Sequence, residues 1–135
     1  MFGHNRKKII KIGIVEDNLS FVKTLSDMIE VSIPVDYEYE IQTASNDNQY
    51  KNILNYLTIC NLILLDYHLQ SNETDGKKIV EYLHQHDTKG KIVFLTEDIS
   101  INRVTEAQLF GITFIPKQMF NENHLYNLID HLELD

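Results

Sequence analysis

The chain has 135 residues, 43% hydrophobic and 24% charged, which is room for one domain around one sizeable core. A formal net charge of −8 argues against direct binding to nucleic acid or to an anionic membrane; the one basic cluster is Arg6-Lys7-Lys8 with Lys11, which reads as a solvated lead-in to a strand. Cys60 is the sole cysteine, so no intrachain disulfide forms, no apolar stretch approaches the roughly 18 residues of a membrane span, and charge follows Met1-Phe2-Gly3-His4 too soon for a signal peptide, a set that fits a reducing, cytoplasmic setting.

Residues 9–15 are apolar almost without interruption and predict a first strand. Leu19, Val22, Leu25 and Ile29 then recur at helical spacing, with Asn18 as the cap. Pro34 lies in the next connection. Residues 37–43 alternate and carry aromatic and β-branched side chains, the pattern of an edge strand. Tyr50, Ile53, Leu54 and Leu57 mark a second helix, starting near Ser45 or Asn46. Leu62-Ile63-Leu64-Leu65 has no alternation at all, so both of its faces are expected to be buried. A polar loop follows over 72–76. Ile79, Val80 and Leu83 predict a third helix that stops near Gly90. Residues 92–95 form the next apolar run. A further helix is expected from about Ser100 to Phe110, stopped by Gly111. Residues 112–115 make a short fifth strand, and Leu125, Leu128, Ile129 and Leu132 a final amphipathic helix. Pro34 and Pro116 are the only prolines, and no repeat or low-complexity tract marks a boundary, so residues 1–135 read as one domain. Five strands alternating with five helices predict an α/β fold, a doubly wound parallel sheet of five strands with helices on both faces. The flavodoxin-like order 2-1-3-4-5 sets the first and third strands side by side.

Parallel strands point the same way, so their carboxyl tips share one edge, where open α/β sheets place ligand sites. That edge carries Glu16 and Asp17 after the first strand, Asp66 after the third, Thr96 after the fourth and Lys117 after the fifth. Three converging carboxylates cannot all stay ionised without a cation, and hard oxygen donors with room for water suit Mg²⁺. An aspartate nucleophile, a divalent ion, a hydroxyl and an ammonium are the parts of phosphoryl transfer onto a carboxylate. Each residue alone has a plainer role. A strand-end Asp is usually a turn former or helix cap, Thr a β-former, Lys a solvated charge. Their joint occurrence, in this order, makes the chemistry specific. Other groupings are weaker: His84 and His86 face different directions on a helix, His124 and His131 could share a face but lack a third metal ligand, and no P-loop or nucleophile-elbow motif occurs.

In IGIVED, LILLDYHL, IVFLTED and TFIPK, with Gly76 after the third strand, the chain resembles the receiver domain of bacterial response regulators over essentially its whole length. The separations fit the family: 66 − 17 = 49, 96 − 66 = 30 and 117 − 96 = 21. The resemblance implies that Asp66 is the phosphoacceptor, Glu16 and Asp17 the acidic pair, Thr96 the switch hydroxyl, Lys117 the phosphate-binding lysine and Phe114 the rotating aromatic. It implies Mg²⁺ held by Asp17, Asp66, the backbone carbonyl of His68 and, through water, Glu16. It implies a histidine kinase or histidine phosphotransfer protein as donor and a downstream protein as target, with room for a phosphorylation-dependent dimer. Thr96 and Phe114 would then couple the phosphoryl group to a protein-binding face. The chain is expected to be a stand-alone receiver that assists its own phosphorylation and dephosphorylation without being a conventional enzyme. It departs from the family where Glu97 replaces a small residue after the switch Thr, where no proline follows Asp66 before Gly76, and where Pro116 precedes Lys117 and Gln118 follows it. Glu97 is expected to modulate access to the site. Two other readings stay open: a pseudo-receiver that only binds partners, and an aspartyl-nucleophile phosphate-ester hydrolase, which normally has a second Asp two residues after the first, where this chain has His68.

Overall fold

The computed structural model describes residues 8–67, 69, 75–97, 111–132 and 134. His68, the helix expected over about 100–110 and the basic residues Arg6 and Lys7 lie outside them. The described elements are β1 (Lys8–Val15), α1 (Leu19–Ser32), β2 (Tyr37–Ala44), α2 (Asp47–Leu57), β3 (Leu62–Asp66), α3 (Gly76–Gln85), β4 (Lys91–Thr96), β5 (Thr113–Pro116), a 3₁₀ turn (Lys117–Met119) and α4 (Glu122–Asp130). All ladders are parallel, and the strand order is β2-β1-β3-β4-β5. The predicted fold class is the observed one.

Alternate side chains of one strand feed two cores. Val15, Ile63, Leu65 and Phe94 face α2 and α3, meeting Tyr50, Ile53, Leu57, Ile79, Val80 and Leu83. Ile10, Ile12, Ile14, Leu62, Leu64, Val93 and Leu95 face α1 and α4, meeting Leu25, Ile29, Leu125 and Ile129. This is why residues 62–65 show no alternation: both faces of β3 are covered. Each such side chain contributes about 1.5–3 kcal/mol on burial. β2, at the edge, keeps its outer residues exposed and buries only Ala44 completely.

Asparagine and aspartate start the helices. Asn18, Asn46, Asp75 and Asn121 each accept the backbone N–H three residues on, at Phe21, Gln49, Lys78 and His124. The third helix ends at Gln85, five residues before Gly90. Asp87 adopts a left-handed φ of 52°, and the N–H groups of Asp87 and Thr88 bond to His84 O and Leu83 O. This is a Schellman stop made with Asp in place of Gly, and it ends the helix before glycine is reached. The fifth strand starts at Thr113, and Gly111 takes a φ of +68°.

Gly76 fixes how α3 meets the tip of β3. Its N–H bonds to Tyr67 O at 3.2 Å, and a Cβ there would lie 2.7 Å from Asp66 O and 2.9 Å from Tyr67 Cα and O. Those neighbours are backbone and cannot rotate away. An open helix position would gain about 1 kcal/mol from Gly→Ala, whereas crowding of this kind costs about 1–3 kcal/mol. Gly76→Ala is therefore expected to destabilise the protein in urea denaturation. A variant as stable as the wild type, or more so, would show that the α3–β3 junction is looser than described.

Candidate functional site

Register brings the site together. Val15 pairs with Leu65, so Glu16 stands beside Asp66; Asp66 pairs with Leu95, and Thr96 with Pro116. The tips of β1, β3, β4 and β5 thus rise as neighbouring steps, and Glu16, Asp66, Thr96 and Lys117 sit on them. The β1 tip is held from its other side by a bond from Glu16 N–H to Ala44 O. The N–H of Asn18 donates to Glu16 Oε2 at 3.0 Å while its side chain caps α1, so one residue ends the β1 turn, starts the helix and aims the glutamate.

Glu16, Asp66 and Thr96 are buried, with 2%, 5% and 1% of their surface exposed, and Asp17 is partly buried. Each of Glu16, Asp17 and Asp66 offers a carboxylate oxygen, and these lie within 4.8 Å of one another. Lys117 enters from the 3₁₀ turn directly after Pro116. Its Nζ is 2.5 Å from Glu16 Oε1 and 3.4 Å from Asp66 Oδ2. The ring of Phe21, on the first turn of α1, lies under the same ammonium, with its centroid 5.0 Å from Nζ.

Three carboxylates share one ammonium here. Burial, reinforced by the Asp66 charge and opposed by the bond to Lys117, pushes the Glu16 carboxyl up to about 8. Burial works against charge on Lys117 too, but its pairs with Glu16 and Asp66 outweigh that and hold its pKa above the ordinary value. Lys117 therefore stays an ammonium, and the excess negative charge is felt at Glu16. The donor set fits a hard divalent ion: all oxygen, grouped, and largely shielded from water.

Other expected residues are near but differently placed. Phe114 pairs with Phe94 across β4 and β5 and is half-buried against the α2–α3 core. Glu97 follows Thr96 directly and is exposed. Two residues that sequence pattern did not mark belong to this neighbourhood. One is Phe21. The other is Tyr50, on α2, 1% exposed, whose hydroxyl has no hydrogen-bond partner among the described residues. Burial, then the charges of Asp17, Asp47, Asp66 and Glu16, push its phenol up to about 12. Tyr50 matched the helix-core period, which says nothing about where its hydroxyl ends.

Comparison with known proteins bears on the family and the fold. The family model described as "Response regulator receiver domain" matches residues 12–130. Comparison with the curated proteins finds no match. Among solved structures, the signal receiver domain of a DNA-binding response regulator (merR) from Colwellia psychrerythraea 34H superposes with a TM-score of 0.74 at 19% identity, covering 90% of this chain and 99% of that one. A CheY-like receiver domain protein from Methanospirillum hungatei JF-1 gives 0.71 at 21% identity, over 91% of this chain and 92% of that one. A response regulator protein from Burkholderia pseudomallei, solved with a phosphorylated aspartic acid, a calcium ion and citrate, gives 0.69 at 20% identity, over 89% of this chain and 66% of that one. At these identities the superpositions speak for the fold, and the family match over most of the length speaks for kinship: the chain belongs to the response regulator receiver domain family of two-component signalling.

Proposed function

We propose that this receiver takes a phosphoryl group on Asp66 from a histidine kinase or histidine phosphotransfer protein, in the cytoplasm. The observation that carries the reading is the grouping of the Glu16, Asp17 and Asp66 oxygens within 4.8 Å, with the Lys117 ammonium between Glu16 and Asp66. The Burkholderia pseudomallei relative, with its phosphorylated aspartate and calcium ion, supports it by analogy.

In this mechanism an Asp66 carboxylate oxygen attacks the phosphorus of a phosphohistidine. The O–P bond forms as the N–P bond breaks, the leaving imidazole takes up a proton, and Asp66 is left as an acyl phosphate. Lys117 gives up its hold on Glu16 to pair with a phosphoryl oxygen, and the Thr96 hydroxyl donates to another. Asp17 and Asp66, with Glu16 through water and the His68 carbonyl as the family implies, would hold Mg²⁺, which offsets the charge gathered between acceptor and phosphoryl group. Hydrolysis reverses the modification when water attacks the phosphorus. The protein catalyses changes to itself and is not a conventional enzyme. Movement of Thr96 toward the phosphoryl group would draw Phe114 with it and alter a face read by a downstream protein, or by a second copy of the chain.

Three outcomes are expected. Asp66→Asn should abolish acid-labile labelling by small phosphodonors and by a kinase, with the melting temperature of the metal-free protein preserved or raised, since one of three repelling charges is gone. Full labelling of that variant, mapped by mass spectrometry to another residue, would sink the assignment.

Mg²⁺ should stabilise the protein by mass action. For a dissociation constant of roughly 1 mM, 10 mM ion contributes about 1.4 kcal/mol, on the order of 3–5 °C in Tm. The sign of the pH dependence follows from Glu16. Its carboxyl rises from an ordinary 4.5 to about 8 in the folded protein, so the folded state holds a proton that the unfolded state releases. Without divalent ion, its contribution to stability is complete below about pH 4.5 and is lost as pH rises through 8. Metal binding wants the ionised cluster, so the Mg²⁺-induced rise in Tm should be larger at pH 8 than at pH 6.5 and nearly absent in Asp17→Asn. No shift at any pH in the wild type would mean that the acids do not form a metal site.

Glu97 stands exposed immediately after Thr96. A carboxylate at this mouth repels an incoming phosphodonor and an attacking hydroxide alike. Glu97→Ala should speed both labelling by small phosphodonors and decay of the phosphorylated protein, by roughly two- to tenfold at low ionic strength. Equal rates in variant and wild type, at matched salt and Mg²⁺, would show that the side chain stands clear of the site.

A further inference from the structure

The opposite edge of the sheet carries a second concavity. A cleft of ≈ 920 Å³ opens between the turn that enters β3, the turn that enters β4, the first residues of β5 and one face of α4. Its base is apolar, made by Ile115, Leu128 and Leu132. Cys60 also lines it, and burial pushes its thiol up to about 12, so it adds a neutral wall. Lys89 and Lys91 stand exposed at the rim, and among the described residues no carboxylate lines the cleft. In a chain of net charge −8 that composition is a strong local bias.

His124 on α4 and His131, the residue just past its end, both line this space. The His124 ring stacks on Phe120, and its Nδ1 is shut off from water without a hydrogen-bond partner among the described residues. A metal is not what this arrangement suits: among the described residues, the one grouping with convergent metal ligands is Glu16, Asp17 and Asp66 at the other edge. The volume falls within the roughly 300–1,000 Å³ of small-molecule sites, and an apolar base with a few polar groups above it is their usual make-up.

We infer that this cleft is a binding site for a small amphipathic anion, its charged head at Lys89 and Lys91 and its apolar body on Ile115, Leu128 and Leu132. It shares no residue with the acidic cluster, so it stands whether or not Asp66 is phosphorylated.

The test uses the full chain and 8-anilinonaphthalene-1-sulfonate as the probe, followed by fluorescence and by amide chemical shifts. One saturable site is expected, with the largest shifts at Cys60, Thr113 and Leu128. The Lys89→Ala/Lys91→Ala variant alters exposed side chains only, so its melting temperature should match the wild type while the probe binds roughly five- to tenfold more weakly. Uncharged N-phenyl-1-naphthylamine should bind the wild type more weakly than the sulfonate does and should not distinguish it from the double variant. Asp66→Asn should bind the sulfonate as the wild type does. Non-saturable binding, shifts centred elsewhere, or equal affinity in the folded double variant would each overturn the inference.

Discussion

One ammonium among three carboxylates governs this molecule. Like charges about 4 Å apart repel by about 4 kcal/mol each in the polarity typical of a protein surface layer. Glu16 and Asp66 are buried more deeply than that, yet they sit on adjacent strand tips in a parallel sheet. Lys117 makes this tolerable by pairing with both at once. Its own position is secured by the β4–β5 ladder, by the turn after Pro116 and by the Phe21 ring beneath it. The same charge imbalance that raises the Glu16 carboxyl makes the cluster receptive to a further cation. Burial and receptivity are thus one property.

The two-sided core supplies the rigidity that such a cluster needs. β1 and β3 are covered on both faces, so their tips cannot tilt without disturbing Leu65 and Tyr50 on one side or Leu64 and Leu25 on the other. α3 is seated against the β3 tip through Gly76, and α1 against the β1 tip through Asn18. Side chains at the site are therefore placed by backbone held in packed elements.

Much of this was legible in order along the chain. Unbroken apolarity at residues 62–65 reports a strand covered on both faces, and alternation at 37–43 reports the edge strand, because those patterns follow directly from what each face touches. The order Glu16-Asp17, Asp66, Thr96, Lys117 was readable because parallel strands deliver their carboxyl ends to one edge whatever the loops do. Contacts that depend on packing between distant elements were not readable. Phe21 and Lys117 are 96 residues apart and meet only because α1 packs beside the turn after β5. The Tyr50 hydroxyl is hidden inside a helical period that its ring satisfies. The stop of α3 at Gln85 was missed because Asp87 takes the left-handed conformation for which glycine is the usual signal. Lys117 follows the fifth strand as expected; that it opens a 3₁₀ turn there is a local detail that hydropathy does not resolve.

The sources of the cluster, positions 16, 17, 66 and 117, also bear on how the chain folds. Every ladder joins segments distant in sequence, such as Ile12 with Leu62 and Val93 with Thr113. Pairing of that kind is slow, since loop entropy is lost before contacts form. A chain made from its amino end has gathered all its acids once β1 and β3 pair, but it lacks the ammonium until β5 docks. A nascent or partly unfolded chain thus carries the repulsion without its relief. Docking of the last strand closes the sheet and neutralises the cluster in one step, which ties completion of the fold to completion of the site.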